Sequence, residues 1–247
     1  MSGKTIRLDR LLANLGYGSR REILLLARAG RIRLDNEILH DVEQRLTLDP
    51  ALASRLSVHG EELDPLPGVV LMMNKPLGVT CSRKESGPLV FSLLPERWRR
   101  RDPAISTVGR LDKDTSGLLL LTDDGALLHR IISPRLSTPK TYRATLDRPL
   151  RGDEARIFAA GTLMLEGEDK PLLPARMEVL DERAALLTLR EGRYHQVRRM
   201  FAAVGNHVTA LHRISIGALA LPSDLAPGEF ALLDAAGISR IFAPEAT

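Results

Sequence analysis

The chain has 247 residues, 44% hydrophobic and 27% charged, enough for a packed core in one large or two small domains. Lysine and arginine total 35 against 31 acidic residues, a net charge of +4 that suits an anionic partner without requiring one. The single cysteine, Cys81, excludes an internal disulfide and a cysteine-cluster metal site; no apolar run approaches the roughly 18 residues of a membrane span; and the opening MSGKTIRLDR lacks the apolar core of a secretory signal, so a cytoplasmic protein is expected.

The first 43 residues read as a compact unit. Leu8, Leu11, Leu12 and Leu15 recur at helical spacing, and Gly16 and Gly18 end that helix. Ser19-Arg20-Arg21-Glu22 has the pattern of a capping box, and Ile23, Leu24, Leu26 and Ala27 carry a second helix to Gly30. Arg31 to Leu34 alternates as a strand, and Asp35-Asn36 turns it toward Ile38-Leu39. Arg7, Arg10, Arg20, Arg21, Arg28, Arg31 and Arg33 crowd this unit against Asp9 and Glu22. Spacing places Arg7 with Arg10, and Arg21 with Arg28, on shared helix faces. Such a face can follow a phosphate backbone, and equally it can be a solvated surface.

Residues 44–68 read as a partly ordered linker, with Leu56-Ser57-Val58 as one further strand. Pro65, Pro67 and Gly68 mark the boundary, giving a first domain at 1–62, a flexible tether at 63–68 and a second domain at 69–247. Val69 to Met73 opens the second domain as a buried strand, and Asn74 to Gly78 turns out of it. Trp98 within Arg97–Arg101 reads either as a nucleic-acid contact or, the favoured choice, as a solvated charge run.

Next comes GRLDKDTSGLLLLTDDG, residues 109–125. The four-leucine run is a buried strand, and the polar loop feeding it carries Asp112 two residues after Arg110. From spacing alone, Asp112, Asp114, Thr115 and Ser116 either make turn and capping bonds or carry chemistry. Ala126 to Ile132 reads as a helix ended by Pro134, Lys140 to Leu146 as an alternating strand, and 153–160 as a helix. Residues 175–180 and 184–190 read as an antiparallel strand pair. Val197, Met200, Phe201 and Val204 form a helical stripe stopped by Gly205. A strand at 208–216, another after Glu229 and a helix at 235–240 complete an α+β pattern.

Two stretches carry a family resemblance. RLDRLLANLGYGSRREILLLARAGRIRLDNE resembles the alpha-L, or S4-like, RNA-binding domain, with Asp35-Asn36 in place of its usual Asn-Gly turn. GRLDKDTSGLLLLTDDG resembles the signature of the RsuA family of bacterial pseudouridine synthases, which modify ribosomal RNA. NKPLGVTCS, the KTY at 140–142 and EGRYHQVRRM at 191–200 match further motifs of that family. The resemblance runs from about residue 6 to 235 and weakens at 44–68. It implies an S4-like domain followed by a catalytic domain with a mixed, mainly antiparallel sheet. Tyr194-His195 stands where large-subunit (23S) enzymes usually carry Asn-Arg, so the small-subunit (16S) branch is the closer match.

The implied reaction turns uridine into pseudouridine within RNA. The N1–C1′ bond breaks, the uracil rotates and C5 bonds to C1′, with no redox change and hence no cofactor or metal. The resemblance places the catalytic carboxylate on Asp112, acting as nucleophile on the sugar, as stabiliser of an oxocarbenium-like centre or as base at C2′. It makes Arg198 the basic residue that keeps Asp112 ionised in a partly dry site, and Tyr142 the flat face for the turning base. Arg110 is placed to fill the vacated stack or hold the sugar-phosphate. Lys140, His195, Arg199, Arg7, Arg10, Arg20, Arg21 and Arg28 are expected RNA contacts, and Lys75 a structural support. The expected partner is ribosomal RNA within a small-subunit assembly intermediate, bound by a monomer.

Three alternatives stand beside this. Asp112 and Asp114 could form a glycosidase pair, although KTY and HQVR have no role there. The protein could act on 23S rRNA, or it could be a non-catalytic rRNA-binding assembly factor.

Overall fold

The computed structural model of the protein describes residues 5–82, 85–133 and 136–244. The chain forms two compact units. One comprises the segment up to residue 69 with 94–106 and 122–124; the other comprises 70–93, 107–121 and everything after 124.

In the first unit β1 (Thr5–Arg7) leads into α1 (Leu8–Asn14) and α2 (Arg20–Arg28), followed by β2 (Ile32–Leu34), β3 (Glu37–Ile38), β4 (Arg45–Thr47), α3 (Leu52–Arg55), β5 (Leu56–Val58) and β6 (Glu61–Glu62). Leu8, Leu11, Leu12, Leu15, Ile23, Ala27, Ile32 and Leu56 are fully buried together, which is what the helical periodicity demands. The capping box is complete: Ser19 N donates to Glu22 Oε2 at 2.7 Å and Glu22 N to Ser19 Oγ at 3.3 Å. Asp35 and Asn36 take positive φ angles of 50° and 68°, as a tight hairpin turn requires.

Residues 44–62, expected as a partly ordered end of the first domain, belong to this core. β4 pairs with β1, and β5 lies between β2 and β6. The segment 63–68 is also held. Arg97 makes two bonds to Asp64, Arg101 Nη1 donates to Pro65 O at 2.8 Å, and Gly68 N donates to Asp123. The tether expected here is therefore a fixed part of the first unit, and the chain passes between the units at more than one point.

The source of these bonds is the arginine run read as a solvated surface. Arg97–Arg100 is a 3-10 turn that buries Trp98. Arg101 forms an ion pair with Asp123 at 2.9 Å, both side chains nearly inaccessible. Gly16 fits beneath this turn because a Cβ there would meet Arg97 O at 2.4 Å. Charge density implied solvent, but each buried cation has an acidic or carbonyl partner elsewhere in the unit.

The second unit contains β7 (Val70–Lys75), β8 (Ser106–Thr107), β9 (Thr115–Thr122), α4 (Gly125–Ile132), β10 (Lys140–Leu146), α5 (Glu154–Ala159), β11 (Arg176–Asp181), β12 (Ala184–Leu189), α6 (Gln196–Ala203), β13 (Val208–Ile216), β14 (Leu219–Ala220), β15 (Phe230–Leu232) and α7 (Ala235–Phe242). Pro134, expected to end α4, lies outside the described residues. The sheet runs β11-β12-β10-β13-β9-β7-β15, with β8 beside β9 and β14 beside β13. β13 and β9 are parallel; the β10–β12, β10–β13, β11–β12 and β7–β15 pairs are antiparallel.

β9 carries the architecture. Leu118 to Leu121 are fully buried, as a central strand covered on both faces must be. Leu118 and Leu120 pack with Ile131 of α4 and Ile241 of α7. Gly117 lies within this strand. A Cβ there would sit 2.3 Å from Arg213 O on β13, so only glycine allows the two strands to pair. On the other side of the unit, α6 buries Val197, Met200 and Phe201 with Phe158 of α5, the two phenylalanine rings edge to face at 5.3 Å.

Candidate active site

Asp112 sits in the loop immediately before β9, and that loop is pinned by the motif at the end of β7. Lys75 is fully buried, and its ammonium donates to Thr115 O at 2.8 Å and to Pro76 O at 3.0 Å. Gly78 N donates to Lys113 O, and Thr115 N to Asp112 O. Burial holds the Lys75 ammonium below its usual range, while Cys81, Asp112 and Asp114 pull the other way. NKPLG thus supports the carboxylate loop from below, the role expected of Lys75.

Asp112 opens into a cavity of about 490 Å³, whose lining includes Arg110, Tyr142, Glu191, Arg193, Tyr194, His195 and Arg198. Tyr142, Arg198 and Asp112, 86 residues apart in the chain at their extremes, therefore converge on one cavity. The neighbour of Asp112 is His195, with Nε2 3.5 Å from Oδ1, both side chains about one-third exposed. His195 holds a left-handed backbone, φ 48° and ψ 33°, at the start of α6. A non-glycine residue there is uncommon, and this conformation aims the imidazole toward the carboxylate.

Arg198 does not pair with Asp112 as expected. Its Nη2 contacts Asp114 Oδ2 and Asp114 O, both at 2.9 Å, and Nη1 donates to Val208 O at 2.8 Å. One residue, Lys113, separates the two acids, and the tight turn from Asp112 to Thr115 presents the second one to α6. Nε of Arg198 is buried with no hydrogen-bond partner among the described residues.

Other expected contacts divide into free and committed groups. Arg199 is bound to Glu168, Glu166 O and Tyr194 O, so it braces the loop before α6 instead of standing free for phosphate. Arg7 is likewise committed to Asp9 and Glu43. Arg10, Arg20, Arg21 and Arg28 are exposed, Arg20 lying 3.9 Å from Asp9. Arg110 is exposed and pairs with Glu85 at 3.0 Å. Lys140 donates to Thr138 O, and burial together with Arg213 lowers its pKa to about 8.

The loop 191–196 is a rigid frame. Gln196 Nε2 donates to Glu191 and its Oε1 accepts from Arg193 N, while Arg193 reaches Glu191, Glu168, Lys170 O and Pro171 O.

The site residue that sequence reasoning missed is Arg213. It faces Tyr142 across the β10–β13 pair and is nearly inaccessible. Its Nε donates to Leu118 O at 2.7 Å, and its Nη1 lies 3.4 Å from the Tyr142 hydroxyl. Its Nη2 is buried with no hydrogen-bond partner among the described residues. With Lys140 and Arg190 it lines, among the described residues, a second cavity of about 540 Å³ that shares Arg110, Tyr142 and residues 191–193 with the first. The available signal was parity: Arg213 shares a strand face with the buried Leu211, where a charge demands a partner.

A carboxylate surrounded by Arg110, Arg193, Arg198 and His195, on a chain with an exposed arginine face elsewhere, suits chemistry on an anionic polymer. Fold and cavity together suit an enzyme that acts on nucleic acid. Comparison with known proteins narrows this: the chain belongs to the RNA pseudouridylate synthase family, whose model matches residues 69–203, and an S4 domain matches residues 6–49. It is 41% identical over 228 residues to ribosomal small subunit pseudouridine synthase A of Escherichia coli K12, covering 91% of this chain and 95% of that one. It is 39% identical over 246 residues to the uncharacterized RNA pseudouridine synthase YtzG of Bacillus subtilis, covering 98% and 100%. A solved pseudouridylate synthase matches with a TM-score of 0.67 at 35% identity, covering 96% of this chain and 99% of the other.

Proposed function

We propose that this protein isomerises a uridine of small-subunit (16S) ribosomal RNA to pseudouridine, with Asp112 as the catalytic carboxylate. The observation that carries the assignment is the opening of Asp112, Tyr142 and Arg198 on one cavity from three separate segments. Asp112 acts at the ribose as the N1–C1′ bond breaks. The detached uracil turns against the Tyr142 ring, C5 bonds to C1′, the C5 proton leaves and N1 ends protonated. Arg198 fixes the Asp112–Thr115 turn through Asp114 and adds positive potential. No bond order or oxidation state changes overall, so the scheme calls for no cofactor.

The target uridine has to leave its stack to reach the cavity, at a cost of a few kcal/mol, and Arg110 stands at the mouth to contact the strand. Arg10, Arg20, Arg21 and Arg28 contact the phosphate backbone. The 16S assignment is supported by the relatives named for the small subunit and by Tyr194-His195 in the motif before α6. The working form is a cytoplasmic monomer acting on a small-subunit assembly intermediate.

The test is a map of pseudouridines in 16S and 23S rRNA from cells with and without the protein, repeated with Asp112→Asn. Loss of one 16S pseudouridine in both the deletion and the variant is expected. A lost 23S site would move the target to the large subunit, and an unchanged map would overturn the catalytic reading.

A further inference from the structure

We propose that Tyr194 is the stacking platform for the nucleotide adjacent to the target uridine, which makes it a substrate-positioning residue; this rests on the cavity being the uridine site. Tyr194 is 75% exposed, more than any other large apolar side chain described. Its ring lies on that of His195, centroids 3.9 Å apart and planes 16° from parallel. His195 in turn stands beside Asp112. The two rings form a short stack that begins beside the carboxylate and ends on a largely exposed aromatic ring lining the same cavity.

A ring left in water with one face uncovered gains by covering it, and every nucleobase offers a complementary π face. When the target uridine swings out, its neighbour loses a stacking partner at that same place. The platform is already ordered. Arg199 holds Tyr194 O, Gln196 holds Arg193 N, and Glu168 accepts from both arginines. Binding a base there does not require ordering the loop, so the stacking energy goes into holding the strand. Arg110 lines the same cavity as Tyr194 and supplies a cation for the strand that carries the base.

The experiment uses the full-length protein and a 16S rRNA fragment containing the target, with 2-aminopurine placed either just 5′ or just 3′ of it. Wild type, Tyr194→Ala and Tyr194→Phe are compared. Wild-type binding should change the fluorescence of one of the two probes. Tyr194→Ala should abolish that change and raise KM about tenfold, with kcat altered less than about threefold. Tyr194→Phe should keep both. Because Tyr194 is exposed, the thermal midpoint should not move. An unchanged KM and probe signal in Tyr194→Ala overturns the inference, as does a defect confined to ribonucleoprotein substrate, which would mark a protein contact. If wild type itself forms no pseudouridine, the functional reading fails first and takes this inference with it.

Discussion

Arg198 is bound to Asp114, not to Asp112. Its guanidinium makes an ion pair and a carbonyl bond with Asp114, while Asp112 keeps its carboxylate beside His195. The two acids of the loop are thus divided by task. Asp114 anchors the loop to α6, and under the proposed function Asp112 is the one that meets substrate.

The first prediction follows from that division. Asp114→Ala removes the ion pair but leaves the Asp114 and Val208 carbonyls as Arg198 partners. The pair is more than half exposed on the Asp114 side, so the stability loss should be at most about 1 kcal/mol. Turnover on rRNA should fall severalfold through a looser Asp112 loop. Complete loss of turnover in the folded variant would instead favour an acid/base pair of carboxylates.

Asp112→Asn should abolish pseudouridine formation, because an amide is neither nucleophile nor base. Its neighbour His195 is about one-third exposed, so no buried charge is orphaned and the unfolding midpoint should barely change. RNA binding should be unchanged or slightly tighter once the anion is gone. Single-turnover conversion of a 16S fragment, read beside a binding isotherm, checks both halves; residual wild-type turnover would refute the assignment.

Periodicity made most of the second unit legible: the leucines of β9, the alternation of β10 and the stripe of α6 each declare their element. The Ser19–Glu22 cap was equally plain, because both partners lie within four residues. Pairings between distant residues were not. Arg198 finds Asp114 84 residues away, and Arg101 finds Asp123 across 22, so no local pattern announces either. Arg213 was hidden differently, since a strand arginine reads as outward until the neighbouring strands show that both faces are covered.

The Arg101–Asp123 pair predicts a stability effect within the first unit. Removing one partner of a buried ion pair leaves an uncompensated charge and costs about 3–5 kcal/mol. Asp123→Ala also takes the acceptor from Gly68 N. Denaturant unfolding should show a loss of that size, whereas Arg99→Ala, at an exposed position of the same run, should lie within about 0.5 kcal/mol of wild type.

Removing residues 1–62 is no clean test of RNA binding, because Arg97 would lose the Tyr17 ring it covers, Asp64 N the Tyr17 hydroxyl that accepts from it, and Asp102 N the Asn14 carbonyl. Neutralising exposed arginines keeps the fold. Arg10→Gln, Arg21→Gln and Arg28→Gln together should weaken rRNA binding and flatten its salt dependence by about 0.7 in log–log slope for each single-stranded phosphate that the arginines no longer neutralise. Turnover at saturating RNA should persist. An unchanged slope would remove these residues from the RNA-binding surface.

The last prediction concerns Lys140, whose pKa is lowered to about 8 by burial and then by Arg213. Arg190, Glu191, Arg193 and Arg110 line the same cavity. An RNA oxygen or phosphate near the ammonium favours its charged form. The binding that Lys140 contributes is therefore present below pH 8 and declines as pH rises through that value. Stability moves the other way. The unfolded chain holds this proton up to about 10.5, the folded site only to about 8, so between those values the folded state gains stability with rising pH. Affinity for a 16S fragment, measured from pH 7 to 9 at fixed salt, should fall in wild type. Lys140→Arg, charged throughout, should keep its affinity level over that range, and Lys140→Met should be weak and level. A wild-type curve that stays flat to pH 9 would remove Lys140 from the RNA contact.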